Sequence, residues 1–272
     1  MNQMNGKVVW ITGASSGIGL ALAKAYSQKG AYLIVSARRL ELLEELQSQL
    51  SEPKDCLVLP FDLQHHEQAA QWVEQALHFK GRIDVLVNNG GIGHLGSVDE
   101  MEFEIERKVM DVNFWAAVAL TKAVLPHMLS NDSGQIWTIS SILGFFGSPK
   151  LAAYAASKFA VIGYFESLQY ELQHSQVHAG ILSPGFINTA VSLNSLGPNG
   201  EPVGVNSSAQ ERGMLPEVLA QKFLQKTSKG RLPKHIVIGG YERFSIPFKR
   251  YLPRLFSLVY VKMTNFTRKN NA

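Results

Sequence analysis

Thr12-Gly13-Ala14-Ser15-Ser16-Gly17-Ile18-Gly19 is the stretch that decides the fold. It follows the apolar run 8–12 and opens the segment 17–29, which has helical periodicity. Glycines at these spacings let the backbone turn tightly and approach a phosphate, and the helix that follows offers its N–H groups and positive end. A glycine-rich loop by itself is weak evidence and can be a plain turn. At a strand-to-helix junction it reads as a dinucleotide cradle. Gly13, Ser15, Ser16, Gly17, Ile18 and Gly19 are therefore the first expected cofactor contacts.

Outward from this loop, short apolar runs alternate with stretches of helical length. Residues 8–12, 32–36, 56–61, 83–87, 135–140, 177–182 and 235–238 read as strands. Several are too apolar for a half-exposed sheet, so both their faces should be buried. Helices are expected over 17–29, 40–49, 67–79, 101–129, 151–174 and 216–229. The alternation predicts an α/β fold: a Rossmann-type doubly wound parallel sheet of about seven strands, with helices on both faces. One domain should span 1–240, and 241–272 forms a basic amphipathic C-terminal extension. The irregular segment 188–215, rich in Gly and Pro, is long enough to be a substrate lid.

The composition agrees with a globular protein: of 272 residues, 46% are hydrophobic and 18% charged. The single Cys56 excludes an internal disulfide and the usual zinc cages, so no metal is expected and a reducing, cytoplasmic setting is the simpler one. No stretch of 18 or more residues is uninterruptedly apolar. The net charge of +4 is unevenly spread. From Tyr241 to Ala272 there are seven Lys/Arg and one acid, a net of +6, which leaves −2 for the rest. That distribution argues against nucleic acid as a partner and gives the tail a local task.

The second strand ends in Ser36-Ala37-Arg38-Arg39, where an acid would accept from the ribose 2′-hydroxyl of NAD(H). Two guanidiniums stand there instead and suit a 2′-phosphate, which favours NADP(H). Asp62 either accepts from an adenine amino group or caps the turn that follows it. Asn88-Asn89-Gly90-Gly91 lies at the end of the fourth strand, beside the expected crevice, and is otherwise an ordinary Asn-Gly turn.

Tyr154-Ala155-Ala156-Ser157-Lys158 opens the helix expected over 151–174. Residues four apart share a helix face, so Tyr154 and Lys158 project together. A free phenol is a poor acid or base near neutrality, and a nearby ammonium favours its ionised form. Ser141 ends the fifth strand and can hydrogen-bond a carbonyl. Asn113 interrupts the apolar run Val112-Asn113-Phe114-Trp115, where its amide either holds a water linking Lys158 to solvent or is a satisfied core group at a kink.

Together these features resemble the short-chain dehydrogenase/reductase family over roughly residues 5 to 240. The resemblance rests on Thr12–Gly19, Asn88–Gly90, Asn113, Ser141, Tyr154 with Lys158, and Pro184-Gly185 with Thr189, in that order. It implies that Tyr154 exchanges a proton with a carbonyl or alcohol. Lys158 would lower its pKa and bind the nicotinamide ribose, Ser141 would orient the substrate oxygen, and Asn113 would carry the relay water. It extends the cofactor contacts to Arg38, Arg39, Asp62, Leu63, Asn89, Gly90, Pro184, Gly185, Ile187 and Thr189, the last two at the carboxamide. The implied reaction is hydride transfer between nicotinamide and a ketone or secondary alcohol, with an NAD-linked alcohol or steroid-type dehydrogenase and a non-catalytic cofactor-binding scaffold as the alternatives. Two departures stand out: Gly90 replaces the usual alanine of the Asn-Asn-Ala-Gly turn, and Ser16 lacks the basic residue found in many NADP enzymes.

Within the family, 183–210 and the tail resemble the dehydrogenase/reductase member 7B-like branch, which is associated with membranes and implies a hydrophobic or lipid carbonyl. Phe248, Leu252, Leu255, Phe256, Val259, Met263 and Phe266 form one apolar stripe, with Lys249, Arg250, Arg254 and Arg268 largely opposite. Such a tail can lie peripherally on an anionic bilayer or pack on protein, and both readings stand. Pro253 either starts a helix there or breaks one. The long helices 101–129 and 151–174 present apolar faces, and the resemblance implies pairing through them as a homodimer or homotetramer.

Overall fold

The computed structural model describes residues 4–205, 207–228 and 231–269, with side chains up to Thr264. Its seven strands are β1 (Val8–Thr12), β2 (Tyr32–Ser36), β3 (Cys56–Val58), β4 (Val85–Asn88), β5 (Gly134–Ile139), β6 (Val177–Pro184) and β7 (His235–Ile238). All pair in parallel in the order β3-β2-β1-β4-β5-β6-β7. The order reverses between β1 and β4, and ligand crevices open at the C-terminal ends of strands at such a point.

Both faces of the sheet are covered. Along β1, Val9 and Ile11 enter one core while Val8 and Trp10 enter the other, the two-residue period of a strand buried on both sides. The first core is closed by α1 (Gly17–Ser27), α2 (Leu40–Ser48) and α8 (Pro216–Thr227). The second is closed by α3 (Ala69–Lys80), α5 (Ala116–Ser130) and α6 (Ala152–Glu171). The short helix α7 (Ser208–Glu211) lies in the lid segment.

Two expected elements differ in detail. The third strand stops at Val58, since Pro60 has no N–H to give a ladder. The helix expected over 101–129 is α4 (Phe103–Met110), a π turn at Asp111–Trp115, then α5. The stretch Phe103–Ser130 is long and apolar enough to cross a membrane. Its Val118, Leu120, Val124 and Met128 are instead buried in the second core.

The tail forms α9 (Ser245–Tyr251) and α10 (Pro253–Lys269), so Pro253 both ends one helix and begins the next. The apolar stripe is split. Phe256 and Tyr260, one turn apart, turn inward onto Phe146, with ring centroids 5.2 and 5.7 Å from it. Leu252, Leu255, Val259 and Met263 remain exposed. The side chains of Phe266, Arg268 and Lys269 lie outside the described residues.

Candidate active site

The cradle is built on positive φ: +66° at Gly13 and +54° at Gly17, values that side chains resist. A Cβ on Gly19 would drive into the Gly13 carbonyl and the Asn89 amide. Asn89 staples the loop, its Nδ2 donating to the carbonyls of Thr12 (2.9 Å) and Gly13 (3.3 Å). The Thr12 hydroxyl in turn accepts from the N–H of Asn89 (3.1 Å) and Gly90 (3.0 Å). Ser16, extended at the N-cap of α1, makes no side-chain cap bond, which leaves the first-turn N–H groups available to an anion. A Cβ on Gly90 would crowd only the terminal methyl of Leu63, a flexible side chain that can give way.

At the end of β2, Arg38 faces Asp62 at 4.0 Å and Arg39 donates to the Ser15 hydroxyl at 3.3 Å. Asp62 accepts from Gln64 N (3.0 Å), so its capping role is present alongside any contact with a ligand. Thr189 comes to the cradle from the lid root: a Cβ on Gly17 would sit 3.0 Å from its methyl group. Pro184 closes β6. Gly185 follows with its N–H on Ile238 O (2.8 Å) and its Cβ space filled by Glu242. Ile187 is buried and bridges to Met214 at the far end of the lid. These residues fit a dinucleotide: glycine backbone and free N–H groups for a pyrophosphate, and guanidiniums at the ribose end.

The α6 helix sets Tyr154 and Lys158 one turn apart, with Lys158 Nζ 5.6 Å from the phenol ring centroid. Lys158 is buried and donates to Ile139 O at the end of β5 (3.0 Å). Burial pushes its pKa down to about 8, because the ammonium is the form that loses hydration. Burial raises the Tyr154 phenol, and a hydrogen bond with Ser141 works in the opposite direction. Ser141 also caps the turn after β5 by accepting from Leu143 N (3.2 Å). Ser141, Tyr154 and Lys158 thus lie together at the end of β5 and the start of α6.

The Asn113 side chain is a satisfied core amide. Its Oδ1 accepts from Ile92 N (2.8 Å), and its Nδ2 donates to Ile92 O (2.9 Å) and Ser157 Oγ (3.1 Å). Both amide protons are engaged, and the helix distortion around it is the π turn. Sequence reasoning missed the scaffold: Ser157, which donates to Tyr154 O (2.7 Å), and Ser140, which donates to Lys158 O (3.0 Å). Gly91 was missed as well: a Cβ there would lie 3.1 Å from Asn113 Oδ1 and 3.7 Å from Lys158 Nζ. The polar Ser157 between two motif residues was a readable signal. The contact of Gly91 was not. His94 was also missed. It is fully buried, neither ring nitrogen has a hydrogen-bond partner among the described residues, and burial lowers its pKa.

The family model described as short chain dehydrogenase matches residues 7–196. Dehydrogenase/reductase SDR family member 7B of Xenopus tropicalis is 35% identical over 241 residues, covering 86% of this chain and 77% of the relative. A short-chain dehydrogenase/reductase from Burkholderia phymatum in complex with NAD superposes with a TM-score of 0.82 at 21% identity, covering 94% of this chain and 96% of the other. A metagenomic short-chain oxidoreductase in complex with NADP gives 0.72 at 27% identity, covering 86% and 97%. The seven-stranded parallel sheet agrees with these likenesses, and the chain belongs to the short-chain dehydrogenase/reductase family of oxidoreductases, in its 7B-like branch.

Proposed function

We propose that the chain is an NADP(H)-dependent reductase of hydrophobic ketones, reversible toward the secondary alcohol. The convergence of Tyr154, Lys158 and Ser141 beside the cradle carries this reading. The nicotinamide, when bound, supplies or takes up the hydride. Tyr154 gives its phenolic proton to the carbonyl oxygen, and Ser141 holds that oxygen by donating its hydroxyl. Lys158 lies close enough to stabilise the phenolate that results, and with a pKa near 8 it holds an exchangeable proton at neutral pH. Arg38, with Arg39, takes the 2′-phosphate, and Asp62 and Leu63 line the adenine end. Thr189 and Ile187 hold the carboxamide end beneath the lid of 188–215. Asn113 acts as a positioning residue that fixes Ile92 and Ser157. The preference for a hydrophobic carbonyl follows the likeness to the 7B-like branch.

Tyr154→Phe tests the mechanism. Turnover of a ketone panel should vanish while NADPH binding, read by fluorescence, persists. Retained turnover rejects the assignment. A second reading, NAD-linked oxidation, is favoured by the pairing of Arg38 with Asp62, which occupies that guanidinium. Arg38→Asp separates the two: under the first reading NADPH affinity falls at least tenfold and NADH affinity does not. Exposed Phe103 and Trp115, which with Ala152, Ala153 and Ala156 of α6 line a groove of about 550 Å³, are assigned to pairing as a homodimer or homotetramer. A monomer by light scattering overturns that part.

A further inference from the structure

The tail packs against two segments next to the candidate active site, the lid root at Phe186 and the turn that follows Ser141. At its start, the buried Glu242 accepts from Gly240 N (2.8 Å) and from Phe186 N at the lid root (2.9 Å). At its end, Phe256 packs with Ile142 and Phe146, just beyond Ser141, and the Tyr260 hydroxyl donates to Ser148 Oγ (2.9 Å). With that inner edge committed, α10 presents a different face outward. Arg254, Leu258 and Lys262 follow one another at four-residue intervals, and Leu255 and Val261 flank that row. All five are exposed, Leu258 at 64%.

This face is aliphatic and cationic at once. From Ser245 to Lys269 the sequence has six Lys/Arg and no acid. A second copy of the chain would bring an equally basic tail against it, and the remaining net charge of −2 (+4 less +6) offers little to offset the repulsion. An anionic lipid surface satisfies both halves of the face, taking the leucines at the acyl boundary and the cations at the headgroups. We propose that the outward face of α10, with the basic end of α9, docks on an anionic bilayer and sets the substrate mouth at its surface. The docking stands on the tail alone. The consequence for the mouth rests on the reductase reading above.

The full chain is sedimented with phosphatidylcholine vesicles, with and without about one-third phosphatidylserine. Binding to the anionic vesicles is expected, weakened by salt. Leu255→Glu/Leu258→Glu and Arg250→Glu/Arg254→Glu should each reduce it about tenfold or more, with thermal melts and turnover of a water-soluble ketone unchanged. Sedimentation needs no catalysis, so failure here is separable from failure of the enzymatic reading. The proposal is overturned if the chain ignores anionic vesicles or if both variants bind as the wild type does. It is equally overturned if Leu255→Glu/Leu258→Glu dissolves an oligomer of a chain that binds no vesicle.

Discussion

Lys158→Met should leave the nucleotide-free protein more stable at neutral pH while removing its activity. Burial lowers the lysine from 10.5 to about 8. That drop corresponds to about 3.4 kcal/mol of disfavour for the charged form. Met fills similar space without a charge, and the lost bond to Ile139 O returns about 1 kcal/mol in the other direction. The net gain is about 2 kcal/mol. For 272 residues, at about 2.1 cal/mol/K each, it raises Tm by about 4 °C. The folded value lies below the unfolded one, so the folded wild type binds fewer protons between about 8 and 10.5. Wild-type stability therefore rises with pH across that window, and the variant's advantage, full below pH 8, should shrink to about zero near pH 10. Scanning calorimetry of both proteins at neutral pH and near pH 10 measures this. A variant less stable at neutral pH, or a difference that does not move with pH, refutes the reasoning.

Other consequences follow from the same geometry. Gly19→Ala should abolish nucleotide binding by calorimetric titration, because the added methyl meets the Gly13 carbonyl and the Asn89 amide. Asn113→Ala strands both backbone groups of Ile92 and should lose about 3 kcal/mol in urea unfolding. His178 has its pKa lowered to about 4, first by burial and then by the Lys234 charge, against the hydrogen bond its ring donates to the Pro233 carbonyl. Its contribution is present above about pH 6.5 and is lost as pH falls toward 4. After allowance for partial exposure this is about 2 kcal/mol, which His178→Leu should remove when unfolding is compared at pH 7 and near pH 4.

The strands were legible because burial on both faces leaves a mark that needs no partner to be seen, as in the apolar run from Val8 to Ile11. The cradle and the Tyr154 and Lys158 pair were legible because local backbone geometry dictates them: positive φ at Gly13 and Gly17, and a helical turn between positions 154 and 158. Which groups Asn113 would satisfy was not legible. A polar residue in an apolar helix announces that it has partners, but Ile92 and Ser157 are 21 and 44 residues away. The same holds for Gly91, whose missing side chain matters only because Asn113 and Lys158 close on it.

The tail separates the two levels of information. Its amphipathic period and its +6 charge are written in the chain, since periodicity and composition are local. Which edge of the helix turns inward is not. That was decided when Phe256 and Tyr260 found Phe146 and Ser148, more than a hundred residues earlier, and the helix rotated to bury their rings. Sequence alone therefore determined that this is a parallel α/β protein with a dinucleotide cradle and a Tyr/Lys pair. Tertiary packing decided what surrounds that pair and which leucines of the tail remain in solvent, because both depend on surfaces that exist only once distant segments have met.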